Sequence, residues 1–549
     1  MTMRAGSLAG LLLCWLALLL LSLLLRPLLP VDENRYIGVA WEMWQRGDFL
    51  VPWLNGEPYS HKPPLFFWLI HAGWWLFGVN EWSIRLLAPL LTVLVLLATA
   101  HLAGRLWPGD SVTSRLSAPV QFACVFLVAF FTWLQIDMLL VLLTVTAMVG
   151  VIDAAQGRQA GWLLTGIALG LGVLAKGPII LLHVLPPALL APWWQSGGLA
   201  KGKWRWYGGL LAALALAAVV ALAWALPAAA AGGEVYGRAI LWGQTAGRVV
   251  QSFAHAHPVW WYIPWLPVLF APWILLPWLW SAVRQAWAAR DDGLRFCVTW
   301  LVTVLLLLSL VSGKQLKYLL PVLPAFALLV ARVLSQMDSR PVRQRPWLLV
   351  MVLSFIGLGG VVAPFWLAQA PWLNSVHSGW GLGLLAVAAA LWWSPYAQPQ
   401  HYPMRMVLLS VIAVCIGQLG VLRIGAPAYD MHAASRLIAG IQAAGHTVAV
   451  ESRYHGEFTF PGRLRQPLLQ LAPCAAADWA RRHPDDYLVQ TGKHLPEDYP
   501  EADYNRPLRS GRLVIVRGRA RIPYNGARGN APDMQNCPKN PYDADLSEH

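Results

Sequence analysis

Charge is what this chain has least of. Only 12% of its 549 residues are Asp, Glu, Lys or Arg, and the acids number 27 against 41 bases. Soluble globular domains carry about twice that charged fraction, so a freely soluble enzyme is excluded. Cysteine is scarce too, at six residues, which excludes a disulfide scaffold as the main source of stability. No Walker phosphate loop, GxSxG nucleophile elbow or paired CxxC motif occurs, so the best-marked nucleotide, serine-hydrolase and zinc sites are absent. No internal repeat is detectable.

What is there instead is apolar. Hydrophobic residues make up 57% of the chain and mean hydropathy is +0.50, the profile of a polytopic α-helical membrane protein. The 32 Trp fit many lipid–water boundaries, where indole rings settle. The net charge of +14 does not imply nucleic acid, because the bases fall in short clusters between apolar runs, the pattern of topology signals. The first run, LAGLLLCWLALLLLSLLL, continues into Arg26 without a small-residue cleavage site and reads as a span.

Apolar runs predict thirteen spans, near 7–28, 84–104, 117–135, 138–156, 161–175, 178–194, 207–230, 259–283, 296–312, 318–334, 347–367, 379–393 and 406–423. Arginine and lysine clusters after alternate spans, from Arg105 and Arg115 to Arg405, mark one side as cytoplasmic. The N-terminus then lies inside and the C-terminus outside. Lys62, Lys176, Arg238, Arg248, Lys314 and Lys317 break the rule by falling on the outer side. Each either snorkels to headgroups or meets an anion. A phosphate shared by the set explains them together, and Gly177 and Pro178 after Lys176 could bare backbone N–H groups for it.

The densest charge lies in the first external loop, 29–83, where VDENRYIGVAWEMWQRGDFLVPWLNGEPYSHKPPL carries Asp32, Glu33, Arg35, Glu42, Arg46, Asp48, Glu57, His61 and Lys62. Asp32 and Glu33 stand at a predicted helix start, and Gly47 ends that helix. Capping accounts for such carboxylates; a catalytic acid at the membrane surface accounts for them as well. The second loop holds a lone acid, Asp137, between two apolar runs, with the same two readings. Loop 231–258, rich in Gly and Ala, reads as a lid over the active face. Its His255 and His257 are spaced too closely to make a strong metal signal.

From about residue 424 charges disperse, and the domain boundaries expected are 1–423 for a transmembrane catalytic domain and 424–549 for a small soluble α/β domain. HTVAVESRY, DYLVQ and GRLVIVRGR read as strands, MHAASRLIAGIQAAG and AAADWARRH as helices. Cys474 and Cys537 both lie here, where an oxidising periplasm permits a bond between them; two free thiols are the alternative.

The ordered series Asp32-Glu33-x-Arg35-Tyr36, Glu42-Met43, Gly47-Asp48-Phe49, Pro52-x-Leu54-Asn55-Gly56, Pro58-Tyr59 and Lys62-Pro63-Pro64 resembles the first external loop of the lipid-A aminoarabinose transferase (ArnT) and protein O-mannosyltransferase family. Leu174-Ala175-Lys176-Gly177-Pro178, the segment from Gly313 to Pro321, and HAHPVWWYIPW are similar to later motifs of that family, in the same order. The resemblance implies a GT-C fold, about thirteen transmembrane helices with outer-face juxtamembrane helices, and a C-terminal periplasmic α/β domain. It implies an inverting glycosyltransferase of the bacterial inner membrane, working as a monomer. Its donor would be a sugar on polyprenyl (undecaprenyl) phosphate, its acceptor lipid A or another glycan. By the same resemblance Asp32, Asp137 and Glu33 are candidate catalytic acids. Lys62, Lys176, Arg248, Lys314 and Lys317 would bind the donor phosphate. Arg35, Tyr36, Tyr59, His61 and Tyr318 would line the substrate pocket. His61 stands where some members carry an acid that joins a histidine at a metal, so His61, His255 and His257 are weak metal candidates and no cofactor is firmly required. Transfer of a hexose or hexosamine to another glycan or a protein is the alternative within the class. A lipid or sugar transporter is the alternative outside it, though that predicts related halves and mid-membrane charges. A scaffold would leave the loop-one series unexplained.

Overall fold

The structure is a computed structural model that describes residues 5–29, 31–199, 202–247, 257–288, 291–366, 376–451, 453–493, 495–499, 501–509 and 511–520. The chain divides into two compact units. One comprises Met1–Leu24, Ser60–Val361 and Ser378–Gln418; the other comprises Leu25–Tyr59, Val362–His377 and Leu419–His549.

The first unit is a bundle of apolar helices. Among the described residues, eight helices of the chain are long and apolar enough to cross a membrane, and the pair Ser111–Phe122 and Val125–Phe131, bent by 66°, passes the same test together as a broken span or a re-entrant loop. That break falls inside the expected 117–135 span, just after Pro119, where a proline removes a helix hydrogen bond. Four other expected spans form shorter apolar helices: Ala160–Lys176, Ile179–Leu189, Val259–Phe270 and Gly379–Trp393. The single span expected over 259–283 is not one helix. It runs as a 3-10 segment Val259–Trp265, a turn of helix Leu266–Phe270, a second 3-10 turn Trp273–Leu275, and the helix Pro277–Ala288. Pro264, Pro267, Pro272 and Pro277 interrupt it.

Two antiparallel helices set the geometry of the first unit's polar end. Asp137–Ala155 and Ala160–Lys176 are joined by a short turn, so the first residue of one meets the last of the other. Their closeness depends on glycine. A Cβ on Gly150 would lie 2.5 Å from the Gly161 carbonyl and one on Gly161 would lie 2.3 Å from the Gly150 carbonyl, contacts no larger residue can make. Away from that end, Arg332 ties three segments together: it reaches Asp110 at 2.7 Å and Asp291 at 2.7 Å, and Trp107 donates to Asp291 at 2.8 Å.

The second unit joins the first loop to the C-terminal sheet. The sheet runs in the order Leu469–Leu471, Val448–Glu451, Tyr487–Gly492, Gly511–Arg517, Ala502–Leu508. The first three strands are parallel and the last two antiparallel. The two edge strands, Leu469–Leu471 and Ala502–Leu508, were not legible in the sequence. Side chains alternate between two cores, as the period of a strand requires. Val448, Val450, Val489 and Ile515 pack with Ile438 and Ile441 of the helix His432–Ala443. Ala449, Leu488, Val514 and Val516 pack with Ala476 and Trp479 of the helix Pro473–Arg482. Cys474 is in a disulfide; Cys537 lies outside the described residues.

The loop-one helix is Asp32–Arg46, and Gly47 ends it at φ +66°, the left-handed conformation open to glycine. Asp48 then accepts from the backbone N–H of Leu50 and Val51 at 3.0 and 3.1 Å and from the Trp53 indole at 2.7 Å. A two-residue Asn55-Gly56 turn, both residues at positive φ, joins the short strands Trp53–Leu54 and Glu57–Pro58, as Asn-Gly does in tight hairpins. Helix and hairpin are fastened to the C-terminal sheet: Trp41 donates to the Leu464 carbonyl at 3.0 Å, and Asn55 exchanges two hydrogen bonds with Leu468 at 2.9 and 2.8 Å.

Candidate active site

In the first unit, the sequence candidates Asp137, Lys176 and Tyr318 come together. The Lys176 ammonium lies 2.5 Å from the Asp137 carboxylate, with side chains only 6% and 2% exposed. It also sits 4.6 Å from the centroid of the Tyr318 ring, a cation–π contact. Asp137 is the first residue of its helix, a place where the helix dipole also favours a carboxylate. Its partner is Lys176, a contact that capping alone does not supply. Lys176 closes its helix, and Gly177 turns the chain away at φ +82°.

Sequence reasoning passed over His183, one turn into the helix Ile179–Leu189. It is fully buried, and neither ring nitrogen has a hydrogen-bond partner among the described residues. It lies within electrostatic reach of both Lys176 and Asp137. The signal was present: a lone titratable residue in the run IILLHVLPPALL, seven positions after Lys176.

Lys314 is held differently from Lys176. It is 1% exposed, and its ammonium donates to the carbonyls of His257 at 2.9 Å and Val311 at 2.6 Å. It thus takes up the Val311 carbonyl at the end of the helix Asp292–Leu310 and ties it to the His257 backbone. His257 stacks on Trp261 at 4.6 Å and 7°, and Tyr262 donates to the Gln315 carbonyl at 3.3 Å. Lys62 and Lys317 are partly buried and His61 is exposed. Arg248 and His255 lie outside the described residues. No group of three or more His, Cys, Asp or Glu gathers as a metal site among the described residues.

In the second unit, Asp32 and Arg35 form an ion pair one turn apart, and Arg35 is within electrostatic reach of Tyr59 and Tyr36. Glu33 faces elsewhere. Arg26 grips its carboxylate at 2.7 and 2.9 Å, and the Leu29 N–H adds a third bond at 2.7 Å. Three charge-assisted bonds make Glu33 an anchor for the start of the helix. The C-terminal segment supplies residues the sequence did not suggest. Burial pushes the Glu457 carboxyl above its usual range, against the opposing pull of its own and His455's N–H groups, Arg509 and Arg35. Gly456, at φ +87°, lies against Leu54 and the Arg35 backbone, where a Cβ would be 2.8 Å from Leu54.

Residues 61–224 match the family of dolichyl-phosphate-mannose-protein mannosyltransferases, and residues 254–369 match the Alg9-like mannosyltransferase family. The chain is 32% identical over 343 residues to the undecaprenyl phosphate-alpha-4-amino-4-deoxy-L-arabinose arabinosyl transferase of Enterobacter sp. (strain 638), a match spanning 60% of each chain. The matched region is therefore about 60% of the length of that curated relative. ArnT from Cupriavidus metallidurans bound to undecaprenyl phosphate has the same fold, with a TM-score of 0.69 at 19% identity, covering 93% of this chain and 98% of that one. Its apo form gives 0.71 at 18% identity, over 94% and 98%. In fold the chain matches ArnT, and in sequence it is similar to the undecaprenyl phosphate aminoarabinose transferases and, over parts of its length, to the two mannosyltransferase families.

Proposed function

We propose that this protein is a glycosyltransferase that moves a sugar from undecaprenyl phosphate to lipid A or lipopolysaccharide, at the periplasmic face of the bacterial inner membrane. The observation that carries this reading is the buried Asp137–Lys176 pair against Tyr318. Charges at the ends of apolar helices are costly unless they have a partner or a task, and the relative from Enterobacter is named for transfer from undecaprenyl phosphate.

The reaction forms a bond between an acceptor oxygen and the anomeric carbon and breaks the bond from that carbon to the phosphate oxygen. The electron pair leaves with undecaprenyl phosphate. Fixed ammonium and guanidinium groups stabilise that departing charge, each by about 3 kcal/mol in a water-poor site. Lys62, Lys176, Lys317 and Arg248 are the groups proposed for this. A hydroxyl acceptor needs a base, for which Asp32 or Asp137 is proposed; a lipid-A phosphate is already ionised and needs none. In that case Asp32 orients the acceptor or the amino group of a cationic sugar.

The disulfide at Cys474 supports an oxidising compartment for the C-terminal unit. Mass spectrometry of lipid A and surface glycans from a deletion strain tests the function. Loss of a pentosamine from lipid A, restored by the wild-type gene and not by Asp137→Asn, is the expected result. Unchanged lipid A with a sugar missing elsewhere would replace the acceptor, and no change in any glycan would sink the reading.

A further inference from the structure

A cationic cavity lies in the first unit, and neither Asp137 nor Lys176 lines it. The arginine-rich segment before the helix Trp347–Trp366 meets the end of the helix Gly379–Trp393 and the start of the helix Tyr402–Gly417, pinned by a 2.9 Å bond from the Val342 N–H to the Ala397 carbonyl. Arg345, Arg405, Tyr396, Tyr402, Ser394 and Met406 are among its lining residues.

Both guanidiniums are held in place without being neutralised. Arg345 donates to the carbonyls of Trp392 at 2.5 Å and Ser394 at 2.9 Å, and lies 4.7 Å from the centroid of the Tyr396 ring. Arg405 donates to the Pro395 carbonyl at 2.6 Å. The Tyr402 phenol is within electrostatic reach of both. Among the described residues, neither arginine forms an ion pair. Topology signalling explains a positive cluster here, but not two forks fixed around one cavity.

The surroundings indicate the ligand. Trp347, Met351 and Phe355 are 49%, 53% and 78% exposed along one flanking helix, and Trp393 is 74% exposed at the end of another. Indoles at the ends of apolar helices mark the headgroup layer, where lipid phosphates lie. Guanidinium pairs bind phosphate oxygens in a fork geometry that ammonium groups do not reproduce.

We propose that this cavity holds the phosphate of an anionic phospholipid, with Arg345 and Arg405 on its oxygens and the acyl chains along the exposed apolar faces of the two flanking helices. The site is independent of the sugar-transfer reading. Native mass spectrometry of the full chain in detergent tests it, with dioleoyl phosphatidylglycerol, dioleoyl phosphatidylcholine and inorganic phosphate as separate probes. The wild type should retain the glycerol lipid at least about tenfold more tightly than the choline lipid. Arg345→Gln with Arg405→Gln should lose that preference, while Arg340→Gln with Arg343→Gln, outside the cavity, keeps it. Arg405→Gln alone, which gives up one carbonyl contact, serves if the double variant does not fold. Equal loss in the control pair, or no lipid preference in the wild type, would overturn the proposal. Arginine-dependent binding of inorganic phosphate with no preference between lipids would overturn the lipid as its source.

Discussion

Asp137 and Lys176, thirty-nine residues apart in sequence, lie 2.5 Å apart where two antiparallel helices meet at the ends opposite their connecting turn. A buried pair of this kind is weak in net stability but expensive to half-remove, because the partner left behind is an unpaired charge in an apolar surround. The two roles, holding the bundle and serving the reaction, can therefore be separated.

Asp137→Asn or Lys176→Met alone should each destabilise the protein by about 3 kcal/mol. The double variant should recover most of that loss, since both charges go together, yet remain without transfer activity. Thermal unfolding in detergent and transfer assays on the three variants check this. A double variant as unstable as the sum of the singles would show that the pair is not what holds these ends together.

Lys314 should behave as a fastening, not as a phosphate ligand. Its ammonium is committed to the carbonyls of His257 and Val311, and charge-assisted bonds of this type are worth about 1.5–3 kcal/mol each. Lys314→Met should lower the melting temperature while leaving the KM for the polyprenyl donor unchanged in the folded fraction. Lys62→Ala should do the reverse, raising donor KM more than acceptor KM. A donor-KM defect in Lys314→Met without loss of stability would return Lys314 to the phosphate set.

Acid should loosen the Arg332 clamp. Burial pushes the Asp110 carboxyl up, but bonds from the Thr113 hydroxyl and N–H, the Ser335 hydroxyl and Arg332 outweigh it and hold the group at about 2, below its ordinary 3.8. A carboxyl depressed on folding stabilises the folded state above its unfolded value, and that contribution is lost as pH falls through the folded one. Wild-type stability should therefore drop between roughly pH 4 and pH 2 more steeply than that of Asp110→Asn. Parallel curves for the two proteins would remove Asp110 from the acid response.

Much of this was legible because it is periodic or punctuated. Apolar runs mark helices, Gly47 ends the loop-one helix, and alternation marks the strands over 448–451, 487–492 and 511–517. Proline spacing could have warned that 259–283 is several pieces, but hydropathy averaging hides such breaks. The pairing of Asp137 with Lys176 was not readable, because it depends on how two helices pack side by side and not on either sequence alone. His183 was hidden for the opposite reason: in a lone apolar helix it resembles any core histidine, and only its neighbours give it meaning. The fastening of loop one to the C-terminal sheet spans 413 residues, and a single sequence carries no signal at that distance.

That fastening is open to a direct test at Asn55. Its amide donates to the Leu468 carbonyl and accepts from the Leu468 N–H, while its backbone holds φ +54°, where asparagine and glycine are tolerated better than other residues. Asn55→Ala removes both bonds and strains the turn, so it should cost the second unit about 2–3 kcal/mol. Asn55→Gly removes the bonds but relaxes the turn, and should cost about 1 kcal/mol less. Hydrogen exchange over 32–59 and 464–471 reads the effect, with protection falling in both segments together because each loses its hold on the other. Loss of protection in one segment alone would mean that Trp41, not Asn55, fixes the loop-one helix that carries Asp32.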